Sequence, residues 1–418
     1  MPELTEDFLK LVHLDEAVAG VLRALPGERP GTEMIALREA TGRVLAGDVE
    51  APEDLPGFNR SSMDGYAVRA ADTFGASEGL PAYLEYAGEA PMGRPCPFAA
   101  GPRQAVGIST GGLLPAGADA VVMVENTELS GSTVEVVRGA APGENTVRPD
   151  EDVAKGSLLA GGGRVVGPAL AGALAGLGIT SVEVYRLPVV GIISTGDELV
   201  PPDERPGPGQ VRDVNSAALS AAVRSAGCIA RAYGIVEDDL GRLLEVSRAA
   251  LLECDALVIS GGSSAGVRDV TVDVIARLGE PGVLAHGIYL KPGKPTLVGV
   301  CGGKPVLGLP GNPASALAVF REVLEPVLER LRGEVPRPGS STPRTVAAVL
   351  ERPVASATGR LELVPVELRE DGETYVACPV MGKSNLIGTL ARAHGNVRIP
   401  EGTEGLIQGQ IVTVELLE

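Results

Sequence analysis

From Val182 to Gly333 short apolar runs alternate with amphipathic helical patterns, and no other feature constrains the fold as much. The runs VEVYRLPVVGIIS, ALVIS and PVLGL are rich in Val, Ile and Leu. Between and after them, VNSAALSAAVRSAG, DLGRLLEVSRAALLE, DVTVDVIARLG and ASALAVFREVLEPVLERLRG carry apolar residues at helical spacing. This alternation predicts a doubly wound α/β domain with a parallel sheet. Ligands of such sheets bind beyond the carboxyl ends of the strands. Three polar, glycine-bearing loops, STGDEL from 194, SGGSSAG from 260 and LPGNPAS from 309, follow predicted strands and so share one rim.

The middle loop has the order strand, Gly-rich turn, helix. Glycines let the backbone approach a ligand, and free N–H groups at the helix start point at negative charge. Ser263 and Ser264 add hydroxyl donors, and Asp269 closes the loop. A carboxylate beside an anion site is repelled unless a cation lies between them. Asp269 therefore reads either as a Mg²⁺ ligand facing a phosphate or as the N-cap of the next helix.

Ahead of this region, Val18, Val21, Leu22 and Leu25 predict a helix over residues 14–25, with Asp15 as its cap and PGERPG ending it. FNRSSMDGYAV places Asn59, Arg60, Ser61, Ser62 and Asp64 before an apolar run, which is either a plain loop or a site. YLEYAGEA, AVGIST, DAVVMVEN and STVEVV predict a compact β module, closed by the charged turn RPDEDV. The run 165–184 is long enough to cross a membrane, but Pro168 and several glycines make it a Pro-started helix followed by a strand. EVPRPGSSTPRT reads as a linker, and 346–418 as a small β domain.

Charge and composition narrow the function. The net charge of −18 argues against nucleic-acid and anionic-membrane partners, and 3% aromatics without Trp argue against base-stacking platforms. An anionic substrate must therefore be held by local cations. Five dispersed cysteines without a C-x-x-C pair predict a reduced, cytoplasmic protein. His13, His286 and His394 are too far apart for a local zinc motif and read as structural. The N-terminal residues lack the apolar core of a signal peptide.

Taken together and in order, FNRSSMDGYAV, ISTGGLLPAGADAVVMVENT, RPDEDV, ISTGDELV, GQVRDVNS, SGGSSAGVRD, KPGKPTLVG and GLPGNPASAL resemble the molybdopterin molybdenumtransferases, the MoeA proteins and the gephyrin E domain. The resemblance implies four parts: an α/β molybdopterin-binding domain at 8–26 and 184–333, a split linking domain at 27–56 and 151–183, a β-rich domain at 57–150 and a C-terminal β domain at 334–418. It further implies a Mg²⁺-dependent homodimer that inserts molybdate into adenylylated molybdopterin and releases AMP, with each active site between the α/β domain of one subunit and the β-rich domain of the other. A molybdopterin adenylyltransferase is the implied upstream partner.

Residue by residue, the resemblance assigns catalytic roles to Asp64, Asp152 and Asp269. It assigns metal ligation to Glu198, Asp269 and one of Asp238 or Asp239, of which Asp238 is taken. Substrate contacts fall to Ser62, Thr195, Gly261, Gly262, Ser263, Ser264, Lys291, Lys294, Pro310 and Asn312. Two departures stand out: Pro149-Asp150 precedes Glu151-Asp152 where the family has a glycine, and MGKSN replaces a Q-G-S-G-like turn in the C-terminal domain. Two other readings remain open. One is a molybdopterin adenylyltransferase-like enzyme, because STGDEL…DVNS recurs there; the other is a gephyrin-like scaffold.

Overall fold

A computed structural model describes residues 11–27, 29–261, 270–336, 343–380, 382 and 385–417. Its α/β part contains a six-stranded sheet. The strand order is Ile229–Val236, Val189–Thr195, Ala256–Gly261, Lys304–Leu309, Leu297–Cys301, Pro281–His286. The first four are mutually parallel, whereas Leu297–Cys301 runs antiparallel to both its neighbours. The sheet is therefore mixed, not wholly parallel as expected. Gly302 and Gly303, with φ of 59° and 79°, form the tight turn that reverses the chain there.

Ala256–Gly261 is buried along its whole length, as a strand covered on both faces must be. Helix Asn215–Ser225 and the helical run from Pro313 pack with Val190, Ile192 and Val258 on one face. Helices Leu240–Glu253 and Val270–Leu278 pack with Ile193, Leu257 and Ile259 on the other. Helix Leu14–Ala24, distant in sequence, buries Ala17 and Val21 in the first of these cores. Its N-cap position is held by His13, and Asp15 lies in the first turn instead of capping it. The long helix expected from Pro313 is interrupted by a π-helical turn, Phe320–Leu324, just before Pro326. Proline has no N–H to give the preceding turn, and the wider turn accommodates that loss.

The chain leaves and re-enters a second core around an insertion. Strand Thr32–Ala36 pairs antiparallel with Ser181–Tyr185, and Val49–Glu50 with Leu158–Ala160. Leu45, Val166, Leu170, Leu174 and Val184 fill the space between. Helix Pro168–Gly176 begins with the proline that the sequence marks. Between these two halves lies a six-stranded, largely antiparallel sheet in the order Ala120–Met123, Gly65–Val68, Gln104–Ile108, Ala82–Glu89, Thr133–Val136, Thr127–Ser130.

At the C-terminus, strands Leu361–Asp371, Thr374–Pro379, Thr345–Leu350, Ile411–Leu416 and Gly395–Ile399 pair in turn. The last pairs back onto the first, closing a barrel. Leu290–Lys291 of the α/β part adds to its rim beside Leu361 and Glu362. Among the described residues no helix is long and apolar enough to cross a membrane.

Candidate active site

Val189–Thr195 is followed in sequence by a strand on one side of it, Ile229–Val236, and then by one on the other, Ala256–Gly261. The crossovers diverge at this point, so a crevice opens between the carboxyl ends of Val189–Thr195 and Ala256–Gly261. A cleft of about 950 Å³ occupies that place. The three loops singled out by the sequence all reach it: Ser194, Thr195, Gly196 and Glu198 from the first, Ser260 and Gly261 from the second, Pro310, Gly311 and Asn312 from the third.

The floor is fixed by close packing and a connected set of hydrogen bonds. Thr195 lies opposite Gly261 in the parallel pairing, and a Cβ on Gly261 would fall 1.9 Å from the Thr195 carbonyl oxygen. With φ of 115° as well, only glycine fits at that point. The side-chain N–H₂ of Asn215 donates to Ser260 Oγ at 2.7 Å and to the Gly311 carbonyl at 2.9 Å, tying the second loop to the third. Ser216 Oγ donates to Asp213 Oδ2 at 2.5 Å. Its single proton is thereby committed, so Ser194 Oγ is the donor in the 2.9 Å bond between the two serines. Asp213 also accepts from the Ser216 N–H at 3.0 Å, which places it as a helix-start anchor.

The carboxylates divide by role. Asp238 lines the cleft, accepting from Thr195 Oγ1 at 2.5 Å. Its neighbour Asp239 caps helix Leu240–Glu253 through the Arg242 N–H at 2.8 Å. Between the two aspartates the sequence left open, geometry brings Asp238 to the cleft and gives Asp239 structural work. Glu198 also lines the cleft and is exposed. Gly262, Ser263, Ser264 and Asp269, assigned from the sequence, lie outside the described residues. Among the described residues no group of three or more Asp, Glu, His or Cys side chains is placed to hold a metal.

The two lysines lie outside the cleft lining. Lys291 Nζ pairs with Glu362 Oε1 at 2.5 Å, on the rim of the C-terminal barrel. Glu362 is 7% exposed, and its other oxygen accepts from Ser356 Oγ at 2.6 Å. Lys294 is exposed, next to Pro295, which lines the cleft. Neither lysine is itself part of the lining, where Arg212 is the one cationic side chain among the described residues. Arg212 stands in the GQVRDVNS motif, outside the residues that the sequence assigns to the site. A signal was available, since it lies three residues ahead of Asn215 and directly before Asp213. Asn385 and Ile387 bring the C-terminal region to the same cleft, beside the MGKSN turn whose Met381, Lys383 and Ser384 lie outside the described residues.

Ser62 and Asp64 lie in the β-rich part, and Asp152 in the adjoining linking part, where its N–H donates to the Leu55 carbonyl at 3.1 Å. Arg60–Ser61 pairs with Thr146–Val147, and the Ser62 N–H donates to the Asn145 carbonyl at 3.0 Å. Asp64 Oδ1 accepts from the Thr110 N–H at 2.8 Å, so the STGG turn orients it. Ser62, Asp64 and Asp152 are exposed. Asp150, the residue standing in place of a glycine, has φ of 64°, the left-handed geometry that glycine, asparagine and aspartate accept. None of Ser62, Asp64 and Asp152 lines the 950 Å³ cleft. The described assigned residues are thus not all gathered in one place on the chain.

Cysteine chemistry adds nothing here. All five cysteines are free, and burial pushes the Cys228 thiol up to about 12 and the Cys301 thiol up to about 11, away from the thiolate a nucleophile requires. His13 bonds Glu401 and His394 accepts from the Leu368 N–H, both at fold contacts.

A molybdopterin-binding type of α/β domain, carrying its cleft at the switch point and joined to β modules on both sides, is the class these features define. Three family models match in the same order: the MoeA N-terminal region (domain I and II) over 12–178, the "Probable molybdopterin binding domain" over 191–330, and the MoeA C-terminal region (domain IV) over 347–417. The chain is 37% identical to molybdopterin molybdenumtransferase 2 of Mycobacterium tuberculosis over 92% of this chain and 93% of that protein. It is 34% identical to the molybdopterin molybdenumtransferase of Bacillus subtilis, covering 97% and 94%. The crystal structure of the molybdopterin biosynthesis MoeA protein from Pyrococcus horikoshii OT3 superposes with a TM-score of 0.81 at 32% identity, covering 97% of this chain and 100% of that one. The chain belongs to the MoeA family of molybdopterin molybdenumtransferases.

Proposed function

We propose that the protein acts in molybdenum cofactor biosynthesis by inserting molybdate into adenylylated molybdopterin, releasing AMP. The observation that carries this reading is the cleft at the switch point, where Glu198, Asp238 and Arg212 converge in a chain that matches molybdenumtransferases over nearly its whole length. The substrate is a pterin phosphoanhydride and its co-substrate an oxyanion. Both are anionic, and two exposed carboxylates, Glu198 and Asp238, line the cleft that would receive them.

That pairing fits a hard divalent cation. Mg²⁺ is usually held by one or two carboxylates together with substrate phosphates and water, so a set of three protein ligands is not required. Glu198 and Asp238 would hold it, joined by Asp269 on the sequence assignment. When bound, it neutralises charge on the phosphoanhydride. Thr195 keeps Asp238 oriented through its hydroxyl, Asn215 holds the loops that shape the floor, and Asn312 stands free of side-chain capping at the start of the next helix. Cleavage needs charge neutralisation and positioning more than a covalent nucleophile, consistent with the buried thiols.

Asp64 of the β-rich part and Asp152 of the linking part supply the proton-handling groups in this reading. Molybdate loses oxygens when a dithiolate binds, and those oxygens leave as water after protonation, a role for Asp64 and Asp152. Their absence from the cleft lining supports a homodimer in which these residues of one subunit face the other's cleft. The test is turnover with purified protein, adenylylated molybdopterin, Mg²⁺ and molybdate, following AMP and active cofactor together. Molybdate-dependent AMP release with cofactor formation is expected. ATP-dependent adenylylation of free molybdopterin would instead establish the adenylyltransferase reading, and substrate binding by a folded dimer without turnover would establish the scaffold reading.

A further inference from the structure

Arg212 is exposed in a cleft whose other charged lining residues are Glu198, Asp213 and Asp238, yet among the described residues it forms no ion pair with any of them. Its position is built. Leu199–Val200 and Val211–Arg212 form a two-stranded parallel ribbon over the cleft, with the Val211 N–H donating to the Glu198 carbonyl at 2.8 Å and the Asp213 N–H to the Val200 carbonyl at 2.9 Å. Arg212 Nε donates to the Glu204 carbonyl at 3.0 Å, which fixes the side chain from the loop between the two strands. Of the two lysines assigned from sequence, Lys291 is paired with Glu362, and Lys294 adjoins the lining residue Pro295 without lining the cleft itself.

A guanidinium held through Nε keeps its two terminal nitrogens for a ligand. Their planar fork matches two oxygens of one phosphate, which a lysine ammonium cannot do. Asp213 is buried, its oxygens accept from the Ser216 N–H and Oγ, and among the described residues it forms no ion pair with Arg212.

We propose that Arg212 is the phosphate anchor of the cleft, a specificity-determining residue that retains the substrate by gripping one of its phosphate groups. This rests on the function proposed above and extends it to a residue outside the lysine pair assigned from sequence. The gripped phosphate is either the one on the pterin side chain or the one on the adenylate, and both present the same chemistry.

The test compares ligand pairs differing only in phosphate, 6-hydroxymethylpterin with its monophosphate and adenosine with AMP, on the full-length wild type, Arg212→Gln and Arg212→Lys by calorimetry. Wild type is expected to prefer the phosphorylated member of at least one pair by about ten- to hundredfold, as charge-assisted hydrogen bonds allow. Arg212→Gln should reduce that preference to within about threefold, and Arg212→Lys should recover part of it. The pair that loses its preference identifies which phosphate is gripped. A merely structural role would weaken both members equally and leave the ratio unchanged, which would overturn the proposal. Equal binding of both members by wild type would overturn it too. Failure of wild type to bind any of these ligands, or molybdopterin itself, would refute the functional reading and this inference with it.

Discussion

Replacing Gly261 by alanine tests whether the cleft floor is as tightly determined as its geometry implies. The new Cβ would lie 1.9 Å from the Thr195 carbonyl oxygen, a backbone atom that cannot swing aside, and φ of 115° is hostile to any L side chain. Holding a residue in such a sparsely populated region costs about 1–3 kcal/mol, and forcing an extra carbon into packed surroundings costs about another 1–3 kcal/mol. The expected destabilisation is thus about 2–6 kcal/mol, against about 5–15 kcal/mol for a typical domain. Urea denaturation followed by circular dichroism should show the midpoint of the α/β transition falling with little change in slope. Relief comes only by parting Thr195 from Gly261, which also moves Asp238 through its bond to Thr195. A misplacement of about 1 Å at a reacting site costs about a hundredfold in rate. Turnover should therefore fall at least that much even at temperatures where the variant is folded. Gly172→Ala is the control. Its Cβ meets nothing within 4 Å, and it lies inside helix Pro168–Gly176, so a gain of about 0.5–1 kcal/mol is expected. A Gly261→Ala protein with wild-type midpoint and wild-type turnover would refute the reasoning.

Three further outcomes follow from the same geometry. Lys291→Met strands the buried Glu362 carboxylate with Ser356 as its remaining partner and should cost about 1–3 kcal/mol by urea denaturation, whereas Lys294→Met should stay within about 0.5 kcal/mol of wild type. Asp64→Asn keeps an acceptor for the Thr110 N–H but loses the acid; stability should be unchanged, while cofactor formation falls by about 10²–10⁴-fold, and full activity would remove Asp64 from the chemistry. His13 is bonded to Glu401, which raises its pKa above the ordinary 6.5 through that hydrogen bond and the accompanying charge. Because the folded value is the raised one, this contact contributes fully below 6.5 and is lost as pH rises through the folded value. Titration of the His13 ring by NMR should show a midpoint above 6.5 that moves back toward it in Glu401→Gln.

Local pattern decided most of the α/β part. ALVIS had to be a strand covered on both faces, because five consecutive apolar or small residues leave no polar side for water, and it is buried throughout. The helices after it announced themselves by spacing, and the loops that follow the strands had to share a rim once the strands were parallel. The same logic brings Glu198, Thr195, Pro310 and Asn312 to one rim, and all four line the cleft. Pro168 marked its helix start just as plainly.

What local pattern could not carry was anything that depends on which distant segment arrives next. Lys291 and Lys294 look alike in KPGKP, and only the docking of Leu290–Lys291 on the barrel strand Leu361–Asp371 gives Lys291 a buried carboxylate to pair with. Asp238 and Asp239 are adjacent and chemically equivalent; the direction in which the helix begins turns one into a cap and leaves the other in the cleft. The antiparallel strand Leu297–Cys301 was hidden because a buried strand reads the same in either direction. Arg212 became a candidate only when a ribbon formed by two segments ten residues apart carried it over the strand ends. Side-chain type and spacing are local quantities and are legible in one dimension. Pairing, burial and field are set by neighbours that the chain brings together only when it folds.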